Sequence, residues 1–301
     1  SMYPEPIGMD PLGQPGRLRD IDIDGAEITR LGDGHRERRE IAEDEWEDVV
    51  DTAARALAQC PDPSGPPARA TGLALGKVQS GKTMSYTALI ALAADNGYRA
   101  TVVLAGTKNP LRQQTYNRLS HDLQAGRGHL IAFDNPLPHD ADVIRRVVSS
   151  GDHALIVTLK QRQRIDNVRQ ILQTPELRGV PTLVIDDEGD EASLNTQFRR
   201  GNQSAVYQSI NRLRDVLPLH AYVAYTATPQ ANLMIDGIDS LSPDFAILVE
   251  PGAGYCGGST FFGEDIERYV RPISAADGDP AHAAAITPGL TLSIATFLVG
   301  C

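Results

Sequence analysis

The chain has 301 residues, of which 41% are hydrophobic, so it is long and apolar enough to form a core and is not a disordered protein. No apolar run approaches the roughly 18 residues of a membrane span, and the first residues lack the basic-then-apolar order of a signal peptide. The three cysteines are far apart and form no C-x-x-C pair. This spacing argues against a zinc site or a disulfide framework and predicts a cytoplasmic protein.

The net charge of −11 is concentrated at the start of the chain. Residues 1 to 70 hold sixteen Asp and Glu against eight Arg and Lys, a balance of −8, which leaves −3 for the remaining residues. A nearly neutral body can carry a local basic track, so the acidic total does not exclude nucleic acid as a partner.

The first 68 residues are predicted to form an irregular arm followed by a helix and a linker. Residues 1–35 are rich in Gly, Pro and Asp and are predicted to form an irregular arm. Residues 36–68 are predicted to form an acidic amphipathic helix, between Glu37 and Gln59, and then a Pro-rich linker. We expect this helix to dock on the main domain with Trp46 as its anchor, rather than to offer Trp46 for base stacking.

The main domain is predicted at residues 69–275, and residues 276–301 are predicted to be a linker and the start of a further region. Near the start of this domain, residues 76–83 match the phosphate-loop pattern G-x-x-x-x-G-K-[ST]. A short apolar strand is predicted before the loop at 71–75, a helix after it at 83–94, and a second strand at 100–104.

This setting predicts a nucleotide site. The glycines let backbone N–H groups curl around an anion, the lysine reaches the outer phosphates, and the threonine hydroxyl is offered to Mg²⁺. The positive end of the following helix faces the same phosphates. The predicted ligands of ATP and Mg²⁺ in this loop are Gly76, Gln79, Ser80, Gly81, Lys82 and Thr83.

A second motif follows about a hundred residues later, where an apolar strand from residue 182 ends in consecutive acids. Mg²⁺-assisted phosphoryl chemistry needs one carboxylate for the ion and another for the attacking water. We assign Asp187 to the metal and Glu188 to the water. Asp186 remains the alternative metal ligand, because the sequence does not fix the register of the three acids, and an acidic helix start is the other interpretation.

Two loops could contact a phosphodiester backbone. Residues 105–115 follow the second strand, at the sheet edge where ligands bind in open α/β folds, and Thr107, Arg112 and Gln113 are the candidates there. An ordinary strand-to-helix connection is the alternative. The second loop, residues 160–169, carries four cations against one Asp, and we favour a solvated helix face for it.

A third strand, from residue 221, ends in Thr226-Ala227-Thr228-Pro229. Together, these motifs resemble the first RecA-like lobe of a superfamily 2 helicase and, more narrowly, the bacterial family of endonuclease Z-one domains, over residues 70–301. The resemblance also includes Leu111 to Thr115, Ile185 to Ser193, Asn195-Thr196, and Tyr255 to Gly258 with Phe261-Phe262. Gly189 departs from the alanine that is usual in the acidic motif of the family.

The resemblance implies an α/β fold: a RecA-like P-loop NTPase lobe with a mainly parallel central sheet flanked by helices, preceded by a helical N-terminal segment. It implies an ATP-dependent DNA motor in a bacterial restriction or phage-defence system, in which Thr226 and Thr228 couple hydrolysis to DNA. A partner nuclease, methylase or MutL/MORC-type ATPase would accompany it. Helicases of this superfamily take arginine fingers from a second lobe, so we expect this chain alone to bind ATP but to hydrolyse it poorly.

Two other functions are compatible with the sequence. One is a nuclease subunit whose cutting domain lies elsewhere, since we find no convincing D/E-x-K triplet on a strand of this chain. The other is a nucleotide-gated scaffold that binds a partner protein through the acidic helix between Glu37 and Gln59. Metal-dependent DNA cleavage that survives Lys82→Ala would indicate the nuclease, and ATP-dependent capture of a partner without DNA would indicate the scaffold.

Overall fold

A computed structural model describes residues 19–76, 81–187, 205–227 and 241–249. Within these ranges, seven strands form one sheet in the order β3-β4-β2-β5-β6-β1-β7, and every neighbouring pair is parallel. The α/β fold with a parallel central sheet is therefore confirmed. The strands are β1 (Arg69–Gly76), β2 (Ala100–Ala105), β3 (Leu130–Asp134), β4 (His153–Thr158), β5 (Thr182–Asp187), β6 (His220–Thr226) and β7 (Phe245–Val249).

Helices connect the strands and cover both faces of the sheet. They are α1 (Ala26–Arg38), α2 (Glu43–Ala58), α3 (Lys82–Asp95), α4 (Asn109–Asp122), α5 (Ala141–Ser149), α6 (Arg162–Leu172) and α7 (Ala205–Asp215), with a 3₁₀ turn at Pro138–Asp140. In the described part of the chain, no helix is long and apolar enough to cross a membrane.

The central strands are buried on both sides, as near-continuous apolar runs in a parallel sheet require. All residues of β2, β4 and β6 are buried. Because side chains alternate along a strand, each strand contributes to two cores. One core lies under α1 to α4 and includes Leu183 and Ile185, and the other lies under α5 to α7 and includes Val184.

The N-terminal segment differs from its prediction. Residues 26–35 were expected in an irregular arm, but they belong to α1. The expectation was wrong because a distant group stabilises this glycine-containing helix: the carboxylate of Asp95 accepts the backbone N–H groups of Glu27 (3.0 Å) and Ile28 (2.9 Å). It thereby satisfies the free donors of the first turn.

Trp46 lies at the contact between α1 and α2. Its side chain is 6% exposed, and a methyl group added at Gly32 would come within 2.9 Å of its indole Nε1. The absence of a side chain at Gly32 thus lets the indole approach the backbone of α1. Trp46 belongs to the core beneath α1 to α4, so in this structure the ring is a packing residue and not a surface for bases.

Candidate nucleotide site

The end of the phosphate loop lies where α3 begins. Strand β1 ends at Gly76, helix α3 starts at Lys82, and Gly81 before it has a φ of +82°, in the left-handed region that favours glycine. The ammonium of Lys82 lies 3.4 Å from the carbonyl oxygen of Gly76. The predicted ligands Gln79 and Ser80 lie outside the described residues. Helix α3 has no side-chain cap at its start, so the first N–H groups of the helix suit an anion.

The two candidate carboxylates, Asp186 and Asp187, lie on opposite faces of the sheet. Asp186 is fully buried, and Tyr222, on the side of α5 to α7, donates its hydroxyl to Oδ2 of Asp186. Asp187 is the last residue of β5 and lies on the other face, with α3. Only Asp187 therefore faces the helix that follows the phosphate loop.

Asp187 is held by groups from two other elements. The hydroxyl of Tyr86, in α3, donates to Oδ2 of Asp187 at 3.3 Å, and the ammonium of Lys160 donates to its main-chain carbonyl at 2.6 Å. Burial raises the pKa of Asp187, and the positive charge of Lys160 is the largest opposing effect. Burial also raises the pKa of the Tyr86 phenol, which keeps it a hydrogen-bond donor.

Thr83 and Asp187 line one cleft of about 170 Å³ at the carboxyl edge of the sheet. A threonine hydroxyl and a carboxylate are hard oxygen donors of the kind that Mg²⁺ prefers, so the residues present fit this ion. Helix α4 and the loop before it form the other wall. The full lining consists of Thr83, Tyr86, Gly106, Leu111, Gln114, Thr115, Arg118 and Asp187.

The three residues predicted to contact nucleic acid differ in burial and in their partners. Thr107 is partly buried in the loop between β2 and α4. Arg112 is only 9% exposed and forms an ion pair with Asp134, at the end of β3. Gln113 is partly exposed and donates to Oδ1 of Asn117 at 3.0 Å. The guanidinium of Arg112 is thus engaged inside the fold, and its role toward DNA stays a prediction.

The residues predicted for catalysis and coupling are only partly described. Thr226 is buried at the end of β6, the strand that lies between β5 and β1, and it is level with Leu75. The sheet order therefore brings Thr226 between the strand of Asp187 and the strand before the phosphate loop. Glu188 and Thr228 lie outside the described residues.

The sequence analysis missed Tyr86, Lys160 and Arg118. Lys160 was included in a solvated basic face, but its side chain is fully buried. Its position two residues after β4, at the same sheet edge as the acidic motif, was the available signal. Tyr86 and Arg118 carry no motif, because their approach to the cleft depends on how α3 and α4 pack.

A separate group of potential metal ligands, His35, Glu40 and Asp122, lies where α1 meets α4. The guanidinium of Arg38 contacts all three, at 3.2 Å from His35 Nδ1, 2.8 Å from Glu40 and 3.4 Å from Asp122. A cation of the protein itself therefore already contacts every member of this cluster.

Comparison with known proteins finds similar solved structures, among them helicases. No protein-family profile matches the chain, and no curated protein matches it. The similar structures include the Hef helicase domain of Pyrococcus furiosus (13% identity, 68% of this chain, 38% of that chain, TM-score 0.43). They also include a DEAD box protein from Methanococcus jannaschii (14%, 78%, 57%, 0.44) and the DUF1998 helicase MrfA bound to DNA and AMPPNP (14%, 78%, 30%, 0.47). The chain spans between 30% and 57% of the length of these three structures.

Proposed function

We propose that this chain binds ATP with Mg²⁺ and is the ATP-hydrolysing motor lobe of a helicase-like DNA translocase. The observation that carries the proposal is the cleft that Thr83 and Asp187 line together. Thr83 follows the Gly81-Lys82 pair directly, at the start of α3. The last residue of the phosphate-loop pattern and the end of the acidic strand, distant in sequence, thus line one space.

In this proposal, each group has a chemical role. Lys82 contacts the outer phosphates, and the oxygens of Thr83 and Asp187 hold the ion. Bound Mg²⁺ neutralises charge on the phosphates during hydrolysis. Glu188 orients the attacking water, as the acidic motif predicts. Tyr86 orients the Asp187 carboxylate through its hydroxyl.

The DNA part of the proposal rests on the order of the motifs and on the sheet order. Thr226 and Thr228 would couple hydrolysis to DNA because β6 separates β5 from β1. Thr107, Arg112 and Gln113 are the proposed backbone contacts; Thr107 and Gln113 are partly exposed, whereas Arg112 is buried. By family resemblance, the motor would act in the cytoplasm in a bacterial restriction or phage-defence system, beside a nuclease, a methylase or a MutL/MORC-type ATPase.

Nucleotide binding is tested first, because the rest depends on it. We expect Lys82→Ala to weaken the Mg²⁺-dependent binding of a fluorescent ATP analogue about 10- to 100-fold, the effect of losing a charged hydrogen bond. Lys108→Ala, which removes an exposed lysine at the start of α4, is the matched control and should bind normally. Equal affinity in wild type and Lys82→Ala would refute the nucleotide site.

Motor function is tested by ATP turnover of the full-length protein with and without DNA. We expect DNA to stimulate turnover and Glu188→Gln to abolish the stimulation. Nucleotide binding without any stimulation by DNA would contradict the translocase and favour the scaffold.

One observation favours that scaffold as the second candidate. A groove of about 410 Å³ runs between α1 and α2, with Ile28, Trp46 and Val50 among its lining residues. Four carboxylates also line it and outnumber the single cation, Arg36; they belong to Asp24, Glu43, Glu47 and Asp51. Such a groove suits a basic, partly apolar segment of a partner, and ATP-dependent capture of a partner in the absence of DNA would support this role.

A further inference from the structure

A buried lysine reaches across the sheet edge to the end of the acidic strand. Lys160 follows β4, and β2 lies between β4 and β5; because its backbone lies beside Gly106, just after β2, its side chain crosses about one strand spacing, roughly 5 Å. The ammonium ends 2.6 Å from Oδ1 of Asp186 and 2.6 Å from the main-chain oxygen of Asp187. The backbone N–H of Lys160 also donates to the carbonyl of Gly106, at the cleft, at 2.8 Å.

The stability of the fold does not by itself explain this pair. The side chains of Lys160 and Asp186 are both 0% exposed, and taking two charges out of water costs much of what their attraction returns. A protein with well-packed apolar residues at such positions is often as stable as one with the ion pair. What apolar residues cannot supply is a donor for the carbonyl of Asp187.

The network fixes Asp186 as an anchor for the lysine. Tyr222, in β6, donates to Oδ2 of Asp186, while Lys160 lies against Oδ1. Asp186 therefore holds the ammonium in place on the face of the sheet that lies away from the cleft. Asp187 is bound on both sides of its Cα, by Lys160 at the main chain and by Tyr86 at the carboxylate.

We propose that Lys160 is a positioning residue for the metal site: with Asp186 and Tyr222 as its anchors, it orients the backbone of Asp187 so that the carboxylate faces the cleft. This inference rests on the proposed function, because it assumes that Asp187 serves Mg²⁺. Lys160 itself does not line the cleft.

The test separates positioning from mere stability. Lys160→Met alone would leave Asp186 charged and buried, so the informative variant is Lys160→Met/Asp186→Leu, which removes both charges at similar volume. Arg30→Met/Glu27→Leu is the matched control, because Glu27 is 3% exposed and pairs with Arg30 on α1, which is not part of the cleft. The readout is the factor by which Mg²⁺ tightens binding of a non-hydrolysable ATP analogue, measured with the melting temperature of each variant.

We expect the Lys160/Asp186 variant to fold and to bind the analogue in EDTA as wild type does, but to lose about 10-fold or more of the Mg²⁺ effect, as when a group that orients a metal ligand is removed. The control pair should keep the full effect. A folded Lys160/Asp186 variant with the wild-type Mg²⁺ effect would overturn the proposal.

Two further outcomes also decide the matter. If the double variant does not fold, Tyr222→Phe replaces it, since that change removes the hydroxyl that donates to Asp186. A loss of roughly 2- to 10-fold in the Mg²⁺ effect supports positioning by Lys160, and no loss refutes it. If wild-type protein itself shows no Mg²⁺-dependent binding of the analogue, the proposed function fails and takes this inference with it.

Discussion

Acidification should destabilise this protein through two buried histidines that the fold holds neutral. His153, in β4, has Nδ1 2.8 Å from the carbonyl oxygen of Tyr98 and Nε2 2.9 Å from the hydroxyl of Thr101. Nδ1–H therefore donates to the carbonyl, and Nε2 accepts from the hydroxyl. His220, in β6, has Nδ1 2.7 Å from the carbonyl of Leu217, and Nε2 accepts from Nε–H of Arg214 at 3.1 Å.

A second proton is unfavourable at both sites. Burial is the main cause and lowers the pKa of each histidine from 6.5 to about 4, and at His220 the charge of Arg214 adds to the effect. Among the other charges near them, Arg99 and Arg69 lower the two values, and Glu27 raises that of His153.

The lowered pKa values determine how the free energy of unfolding changes with pH. The unfolded chain binds a proton near pH 6.5 and the folded chain only near pH 4, so the stabilisation is complete above pH 6.5 and is lost as the pH falls toward 4. At pH 5 each histidine should cost about 2 kcal/mol of unfolding free energy, and the pair about 4 kcal/mol.

The assay is urea unfolding between pH 7.5 and 5. Because carboxylates also titrate in this range, the comparison is between slopes: His153→Gln and His220→Gln should each reduce the slope of unfolding free energy against pH by up to about 1.4 kcal/mol per pH unit. His139→Gln, at a site that is 75% exposed, should leave the slope unchanged. A slope equal to wild type in both buried variants would refute the reasoning.

Three other changes test packing, backbone conformation and thiol burial. Trp46→Ala should lower the free energy of chemical unfolding by about 3–5 kcal/mol, because removal of the buried ring leaves a cavity. Leu248→Ala, at a side chain that is 61% exposed, should lower it by less than about 0.5 kcal/mol, and equal losses in the two variants would contradict the docking role of Trp46. Gly81→Ala and Gly126→Ala both place alanine at a positive φ (+82° and +86°), with no clash against the described residues, so each should cost about 1–2 kcal/mol, but only Gly81→Ala should impair nucleotide binding. Burial raises the pKa of the Cys60 thiol to about 12, so a variant with the other two cysteines changed to serine should react with iodoacetamide only after denaturation; rapid labelling of the native protein would contradict that burial.

Local patterns predicted the framework of this fold. The strands expected at 71–75 and 100–104 are observed as β1 and β2, and the helix expected at 83–94 is observed as α3. They were predictable because fully buried parallel strands need continuous apolar runs, and because the phosphate-loop pattern encodes its own backbone turn between strand and helix.

Helix α1 could not be predicted in this way. Two glycines within the helix, at 32 and 34, lower its helix propensity, and the groups that stabilise it come from elsewhere. Asp95 caps its first turn, and Trp46 packs against Gly32. Contacts between residues far apart in sequence decided this element.

In the acidic motif of the candidate site, one feature follows from the sequence and another from the tertiary structure. The alternation of a strand already requires Asp186 and Asp187 to face opposite sides of the sheet. The sequence alone does not say which side holds α3, because that depends on how the connections cross the sheet. The tertiary structure decides it: α3 packs on the side of Asp187, and Lys160 reaches Asp186 and the carbonyl of Asp187 because parallel order brings the ends of β4, β2 and β5 to one edge.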